Sequence, residues 1–220
     1  MREEPAPCRW SLPDPWLADP DYDVVGVGAD LAPGTVLQAY RTGLFPMHLQ
    51  TGELGWWSPN PRGVLPLDML RVTRSLRQSM KGLSTTIDLN FTGVMRQCRQ
   101  ARPDTIWITD EFIATYTELH RLGWAHSIEV WADGAMVGGL YGIEIGGVFA
   151  GESMFHQVRD ASKAALVTLV GILQSAGGDR ILDVQWCTDH LASLGAIEIG
   201  RAEYLEEIDR AQHLPAGFAA

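Results

Sequence analysis

One segment sets the architecture: His126-Ser-Ile-Glu-Val-Trp-Ala-Asp-Gly-Ala-Met-Val-Gly-Gly-Leu-Tyr-Gly-Ile-Glu-Ile-Gly-Gly-Val-Phe-Ala-Gly-Glu-Ser153. Apolar and polar residues alternate over residues 127–131, which is the pattern of a half-buried strand. Asp133-Gly134 is a strong hairpin signal, so residues 136–145 are expected to pair back on the first strand. Gly146-Gly147 marks a second turn before a third strand. The segment therefore predicts three consecutive antiparallel strands.

Helices and strands continue after this segment. Asp160 and Thr188 are placed to cap helices, and Gly177-Gly178 ends the first of them. The predicted elements are a long apolar helix from residue 161 to the glycine pair, a buried strand at 181–185, a short helix as far as residue 194, a strand at 196–199 and a helix at 201–210. This order predicts an α+β mixed-sheet domain. It is also the order of the C-terminal half of the Gcn5-related N-acyltransferase (GNAT) architecture.

The first part of the chain is rich in proline, glycine and tryptophan. Residues 1–23 contain five prolines and are predicted to form an extended lead-in. Helices are predicted at residues 33–42, 73–80, 90–100 and 109–122, the last three capped by Thr73, Asn90 and Thr109. We expect a small N-terminal α+β domain at residues 1–62 and a GNAT-like domain at residues 63–220, with the boundary between residues 55 and 75. The last ten residues are expected to be a disordered tail.

Cysteine usage and hydropathy predict a soluble cytoplasmic protein. The chain has three cysteines, at irregular spacing, which does not fit a disulfide framework. The first residues carry acids and prolines where a signal peptide needs an apolar run. No stretch reaches the roughly 18 apolar residues of a membrane span.

The charge is unevenly distributed. The chain has 17 Lys and Arg against 27 Asp and Glu, a net charge of −10, so binding of nucleic acid across its whole surface is not expected. Residues 71–102 carry seven cations and one acid, Asp88, hence +6 against −16 elsewhere. Arg74, Arg77 and Lys81 share one face of the predicted helix at 73–80 and its end. This pattern predicts a local contact with a phosphate backbone, the alternative being a solvated helix face.

Three polar side chains are candidates for catalysis. Glu152 stands between Gly151 and Ser153 in an apolar strand, where burial would raise its pKa. Alternation puts Asp183 and Gln185 on one face at the end of a buried strand, where they could accept a proton from an amine and hold a carbonyl group. Each candidate also has a structural interpretation, as a cap or as a hydrogen-bonded pair that stabilises the fold.

The loop after the third strand lacks the features of a binding site for acyl-CoA. GNAT enzymes that use acyl-CoA bind its pyrophosphate on a glycine-rich turn before the long helix. The corresponding residues, Met154-Phe-His-Gln-Val-Arg-Asp160, contain no glycine, so a donor other than CoA is expected. Cys187 and His190 supply two potential metal ligands, too few for a site.

A series of motifs that runs through most of the chain resembles the bacterial leucyl/phenylalanyl-tRNA–protein transferase family. The motifs are Gly28-Ala-Asp-Leu31, Ala39-Tyr-Arg41, Gly43-Leu-Phe-Pro46, Trp56-Trp-Ser-Pro-Asn-Pro-Arg62, Thr73-Arg-Ser75, Trp107-Ile-Thr109, His126-Ser-Ile-Glu-Val-Trp131, Val137-Gly-Gly-Leu-Tyr-Gly142, Gly151-Glu-Ser-Met-Phe155, Ala161-Ser-Lys163 and His190-Leu-Ala-Ser-Leu-Gly195. The resemblance implies an enzyme that moves Leu or Phe, and less well Met, from aminoacyl-tRNA to an N-terminal Arg or Lys. The product is an N-degron. No metal, nucleotide or CoA cofactor is implied.

The resemblance also assigns roles to residues. It implies a catalytic group of Glu152, Asp183 and Gln185. Either Asp183 polarises Gln185, which draws the proton from the attacking amine, or the tRNA ribose hydroxyl carries that proton. The implied aminoacyl pocket comprises Met47, Leu140, Phe149, Met154 and Leu169. The implied tRNA contacts are Arg74, Arg77 and Lys81 for the 3′ end, and Tyr40, Trp107 and Tyr116 for the terminal adenosine.

Departures from the family pattern keep alternatives open. The family's Phe-Pro-Trp is here Phe45-Pro46-Met47, so a flexible thioether replaces an aromatic wall and is expected to loosen contact with the substrate. A monomer is expected. The alternatives are a peptidoglycan-type aminoacyl-tRNA transferase and a non-catalytic module that binds tRNA or N-degrons.

Overall fold

The computed structural model describes residues 2–102 and 107–218. Within these ranges a small antiparallel sheet has the order β1-β3-β2, and a larger mixed sheet has the order β10-β4-β9-β8-β7-β6-β5. The strands are β1 (Val24–Val27), β2 (Phe45–His48), β3 (Leu54–Trp57), β4 (Arg62–Val64), β5 (Ser84–Ile87), β6 (Ala125–Ala132), β7 (Ala135–Ile145), β8 (Val148–His156), β9 (Ile181–Gln185) and β10 (Ile197–Ile199). The helices are α1 (Pro33–Arg41), α2 (Arg74–Ser79), α3 (Phe91–Gln100), α4 (Asp110–Arg121), α5 (Ala161–Ser175), α6 (Asp189–Leu194) and α7 (Arg201–Ala211). None of the helices in the described ranges has the length and apolar character required to cross a membrane.

The predicted α+β class, with a small N-terminal region and a mixed sheet, is confirmed. Strands β6, β7 and β8 form the predicted antiparallel series, and Asp133 and Gly134 turn the hairpin with φ of 49° and 78°. The small N-terminal α+β domain was expected without its individual strands, and β4 and β5 of the main sheet were not predicted from the sequence. Asp160 does precede α5, but its side chain does not cap the helix; it bonds to Ser79 and Lys163 instead.

Helices cover the main sheet and divide its core in two. One cluster packs α5 against Leu140 and Phe149. The other packs α3 and α4 against Tyr141 and Phe155. Because successive side chains of a strand point to opposite faces, Leu140 and Tyr141 of β7 enter different clusters.

Two bulges interrupt the centre of the sheet. Tyr141 pairs with Ser153 and Gly142 with Gly151, so Glu152 is an additional residue in β8. On the other side, Val64 pairs with Asp183 and Gly63 with Gln185, which makes Val184 the additional residue in β9. Strands β8 and β9 run parallel, and their pairing ends at Ala150 and Asp183. A bulge redirects side chains and bends a strand, so a cleft opens where β8 and β9 separate.

The expectation of a disordered C-terminal tail is wrong for the described residues. The ring of Phe218 is buried and stacks on His126, with 4.3 Å between ring centroids. Glu144, fully buried in β7, accepts hydrogen bonds from the backbone N–H groups of Gly217 and Phe218 and forms an ion pair with Arg2. The last two positions of the predicted tail lie outside the described residues. A sequence has no local signal for such a contact, because Gly217 and Glu144 are far apart in the chain.

Candidate active site

Glu152 lies at the centre of a buried hydrogen-bond network. Its carboxylate accepts a bond of 2.5 Å from the Tyr40 hydroxyl and one of 3.1 Å from the Gln185 side-chain amide. The Tyr116 hydroxyl lies 2.7 Å from that of Tyr40 and 3.4 Å from the second Glu152 oxygen. Burial raises the pKa of Glu152 to about 8, although the hydrogen bond from Tyr40 acts in the opposite direction. The bulge therefore presents a carboxyl group that exchanges a proton near neutral pH.

Asp183 is held in a separate network, behind Glu152. The Arg62 guanidinium donates two hydrogen bonds to its carboxylate, at 2.9 and 2.6 Å. The Tyr204 hydroxyl and the backbone N–H of Gln185 donate two more, at 2.7 and 2.8 Å. The side chains of Arg62 and Asp183 are fully buried, so each charge depends on its partner.

This geometry changes the role expected for Asp183. We predicted that Asp183 and Gln185 would lie side by side, with Asp183 acting on the Gln185 amide. Asp183 instead accepts the backbone N–H of Gln185, whose φ of 66° is left-handed. The side chain of Gln185 bonds to Glu152. The strand alternation used in the prediction fails here because the bulge at Val184 and the left-handed residue redirect the chain.

A cavity of about 400 Å³ occupies the cleft between β8 and β9. Three of the predicted pocket residues, Leu140, Met154 and Leu169, line it. Leu166, Leu182, Val184 and Leu191 complete the apolar wall, and Glu152, Ser153 and Gln185 supply polar groups. The cavity thus offers an apolar volume next to an ionisable group.

Phe149 and Met47 lie elsewhere. Phe149 is fully buried and packs on Phe218, with 5.5 Å between ring centroids, so the prediction that it lines the pocket is corrected. Met47 lines a second cavity of about 170 Å³, together with Phe45 and Trp107. Residues common to both cavities are Arg102, Glu152, Gln185 and Trp186. The two cavities therefore meet at the carboxyl group of Glu152.

The tyrosines do not form the predicted stacking surface. Tyr116 has no exposed area and Tyr40 is 6% exposed, and both hydroxyls point to Glu152. A base cannot reach the face of a buried ring. These residues instead hold the carboxyl group of Glu152 through hydrogen bonds from their hydroxyl groups. Trp107 is half-buried on the wall of the second cavity. Its ring packs edge-on against that of Phe112, with 6.1 Å between the ring centroids.

Sequence reasoning missed three polar groups of the site. Arg62 ends the Trp56–Arg62 motif next to a buried apolar strand, and an arginine in such a place needs a buried acid as its partner. Tyr204 lies in an amphipathic helix with no sign of its role. Tyr141 lines the apolar cavity, and its hydroxyl has no hydrogen-bond partner among the described residues.

The basic helix α2 begins as predicted but is shorter. The Thr73 hydroxyl accepts the backbone N–H of Leu76, and Arg74 and Arg77 are exposed. The helix ends at Ser79, so Lys81 lies in the 3₁₀ turn that follows rather than on the same helical face. Within the described part of the chain, no group of three or more His, Cys, Asp or Glu side chains is arranged to hold a metal ion.

Comparison with known proteins gives matches along nearly the whole chain. The leucyl/phenylalanyl-tRNA--protein transferase of Sulfurimonas denitrificans is 44% identical over 85% of this chain and 83% of its own length. The protein of the same name from Hydrogenovibrio crunogenus is 47% identical over 87% of this chain and 76% of its own length.

Likeness to solved structures is distant. The C-terminal domain of a putative lysylphosphatidylglycerol synthetase from Agrobacterium fabrum has a TM-score of 0.40 and 14% identity, over 83% of this chain and 60% of that one. A tandem GNAT protein from the clavulanic acid biosynthesis pathway has a TM-score of 0.36 and 15% identity, over 80% and 58%.

Family models match two consecutive parts of the chain. The model of the leucyl/phenylalanyl-tRNA protein transferase N-terminal domain matches residues 29–60, and the model of leucyl/phenylalanyl-tRNA protein transferase matches residues 64–209. On these matches, the chain belongs to the leucyl/phenylalanyl-tRNA protein transferase family.

Proposed function

We propose that the protein transfers Leu or Phe, and less well Met, from aminoacyl-tRNA to the N-terminal Arg or Lys of acceptor proteins. The new peptide bond creates an N-degron. The observation that carries this proposal is the position of Glu152 on the common wall of two cavities, one of them apolar and about 400 Å³ in volume. We further propose that the enzyme acts in the cytoplasm as a monomer and needs no cofactor.

The reaction is the aminolysis of an ester. The amine nitrogen of the acceptor attacks the ester carbon, a C–N bond forms, and the bond to the ribose 3′ oxygen breaks. One proton must leave the amine and one must reach the ribose oxygen. We assign Glu152 to hold the proton of the amine, because its pKa of about 8 lets it exchange protons near neutral pH.

Gln185 and Asp183 have positioning roles in this scheme. The Gln185 side-chain amide donates a hydrogen bond to Glu152 and so orients the carboxyl group of Glu152. Asp183 holds the left-handed backbone of Gln185 and is itself held by Arg62. The second route, in which the ribose hydroxyl carries the proton, is compatible with the same arrangement. Much of the acceleration then comes from placing the amine against an ester that is already activated.

The apolar cavity is proposed as the aminoacyl pocket. Leu140, Met154 and Leu169 would contact the side chain of Leu, Phe or Met, whereas a branch at Cβ would clash with the wall. Met47 would reach the substrate from the second cavity. Tyr40 and Met47 come from the proposed N-terminal domain, residues 1–62, and Glu152 from the proposed domain at 63–220, so both would contribute to one site.

A transfer assay tests the proposal. Purified protein is incubated with Phe-tRNA and a peptide with N-terminal Arg, and mass spectrometry detects the peptide extended by Phe. A matched peptide with N-terminal Glu should not be extended, because the proposed acceptors carry Arg or Lys at this position. Binding of tRNA without product would favour the non-catalytic module, and extension of a cell-wall precursor instead of the peptide would favour the peptidoglycan-type transferase.

A further inference from the structure

Four of the seven cations of residues 71–102 lie on α2 and α3, and the family resemblance implies tRNA contacts only for those of α2 and the turn after it. Helix α2 exposes Arg74 and Arg77. Helix α3 exposes Arg96 and leaves Arg99 half-buried, where it pairs with Asp110 at 2.6 Å. The charge of α3 is not explained by the packing of that helix, because its apolar face already buries against the sheet.

The loop between β8 and α5 joins the two helices. The Gln157 amide donates a hydrogen bond of 3.0 Å to Gln97 of α3. Three residues further along, Asp160 accepts one of 2.9 Å from Ser79 at the end of α2. Arg159 lies between these contacts, and 83% of its side chain is exposed. The loop that carries Arg159 is therefore hydrogen-bonded to both of the helices that carry exposed arginines.

The same surface leads to the two cavities. Arg102, just after α3, donates a hydrogen bond of 2.7 Å to Ser153, the neighbour of Glu152, and it lines both cavities. Two acids lie near this path: Asp160 pairs with Lys163 at 3.0 Å and with Arg159 itself at 3.5 Å, and Asp88 forms a hydrogen bond of 2.7 Å with His126. Cationic side chains still outnumber the acids along the path from α2 to the cavities, which favours contact with a polyanion.

We propose that Arg96 and Arg159 extend the RNA-binding surface from α2 to α3. The phosphodiester backbone of the tRNA acceptor end then crosses the loop at residues 157–160 before its aminoacyl group enters the apolar cavity. Phosphate contacts of this kind position an RNA without reading its sequence. This inference rests on the proposed function, because that function supplies the RNA partner.

The test measures binding rather than transfer. The probe is a fluorescent, unacylated RNA hairpin with a tRNA acceptor stem and a single-stranded 3′ end. Its Kd is measured by anisotropy over a series of salt concentrations. The double variant Arg96→Ala/Arg159→Ala is compared with Arg121→Ala/Arg210→Ala, which removes the same charge from exposed positions on α4 and α7. Thermal unfolding shows that both variants are folded.

Loss of two phosphate contacts lowers the slope of log Kd against log salt by about two. The same loss raises Kd roughly 10- to 30-fold at about 0.15 M salt. The inference is overturned if the double variant and its control have equal slopes and Kd values. Failure of the proposed function gives a different result, namely no transfer by the unmodified protein from Phe-tRNA, and leaves the binding comparison intact.

Discussion

Replacement of Glu152 by Gln tests the chemistry assigned to the site. Burial raises the pKa of the Glu152 carboxyl from 4.5 to about 8, so the folded protein keeps a proton that the unfolded chain loses. Between these two values the folded state binds more protons than the unfolded state, and its stability must fall as the pH rises. The amide side chain introduced by Glu152→Gln is neutral at every pH, so this dependence is absent from the variant.

The size of the effect follows from the two pKa values. Each pH unit inside the window removes about 1.4 kcal/mol, and the whole window removes on the order of 4 to 5 kcal/mol. From about pH 5.5 to about pH 7.5, the free energy of unfolding of Glu152→Gln should gain about 2.5 kcal/mol relative to that of the unmodified protein.

Urea unfolding followed by tryptophan fluorescence, at half-unit steps of pH, measures this difference. Glu206→Gln, on the exposed side of α7, is the matched control. The difference between its free energy of unfolding and that of the unmodified protein should stay nearly constant across this pH range. A constant difference for Glu152→Gln as well would show that the buried carboxyl is charged in the folded state. The pKa of about 8, on which the assignment of Glu152 as the group that holds the proton rests, would then be wrong.

Three further predictions concern the surroundings of the site and the chain terminus. Asp183→Asn leaves Arg62 buried without its anion and should cost about 3 to 5 kcal/mol in urea unfolding, whereas Arg62→Leu/Asp183→Leu should cost less than the single change; a single variant as stable as the unmodified protein would contradict the buried pair. Met47→Trp should tighten the second cavity and change the ratio of Phe to Leu transfer in competition assays, and an unchanged ratio would mean that Met47 does not contact the substrate. Phe218→Ala removes a buried ring from His126 and should cost about 3 kcal/mol, which lowers Tm by roughly 6 to 12 °C in calorimetry; a Tm within about 1 °C of that of the unmodified protein would show that the C-terminal contact is not formed in solution.

Predictions from the sequence succeeded where the determining chemistry is local. Thr73, Thr109 and Thr188 cap their helices as predicted, because a hydroxyl reaches a backbone N–H three residues away in any context. Asp133-Gly134 turns its hairpin because both residues accept a positive φ. Asp160 failed as a cap because its carboxylate is bound by the side chains of Ser79 and Lys163 instead of a backbone N–H of the first turn.

Residue motifs identified the family and the residue types at the site, but not their contacts. Tyr40 and Tyr116 were expected to stack on a base, and the fold buries both beneath Glu152. Asp183 was expected to act on the Gln185 side chain, and the bulge at Val184 gives it the backbone N–H instead. Each correction depends on how separate elements pack and pair, and periodicity within one strand does not contain that information.

The sequence alone therefore determined the order of elements after residue 124, most of the helix caps, the family and the positive segment at residues 71–102. Only the tertiary structure decided that Arg62 neutralises Asp183, a residue 121 positions away, and that two bulges bring Glu152 and Gln185 to one cleft. The raised pKa of Glu152 likewise exists only after folding, because it arises from the removal of water by residues distant in the chain.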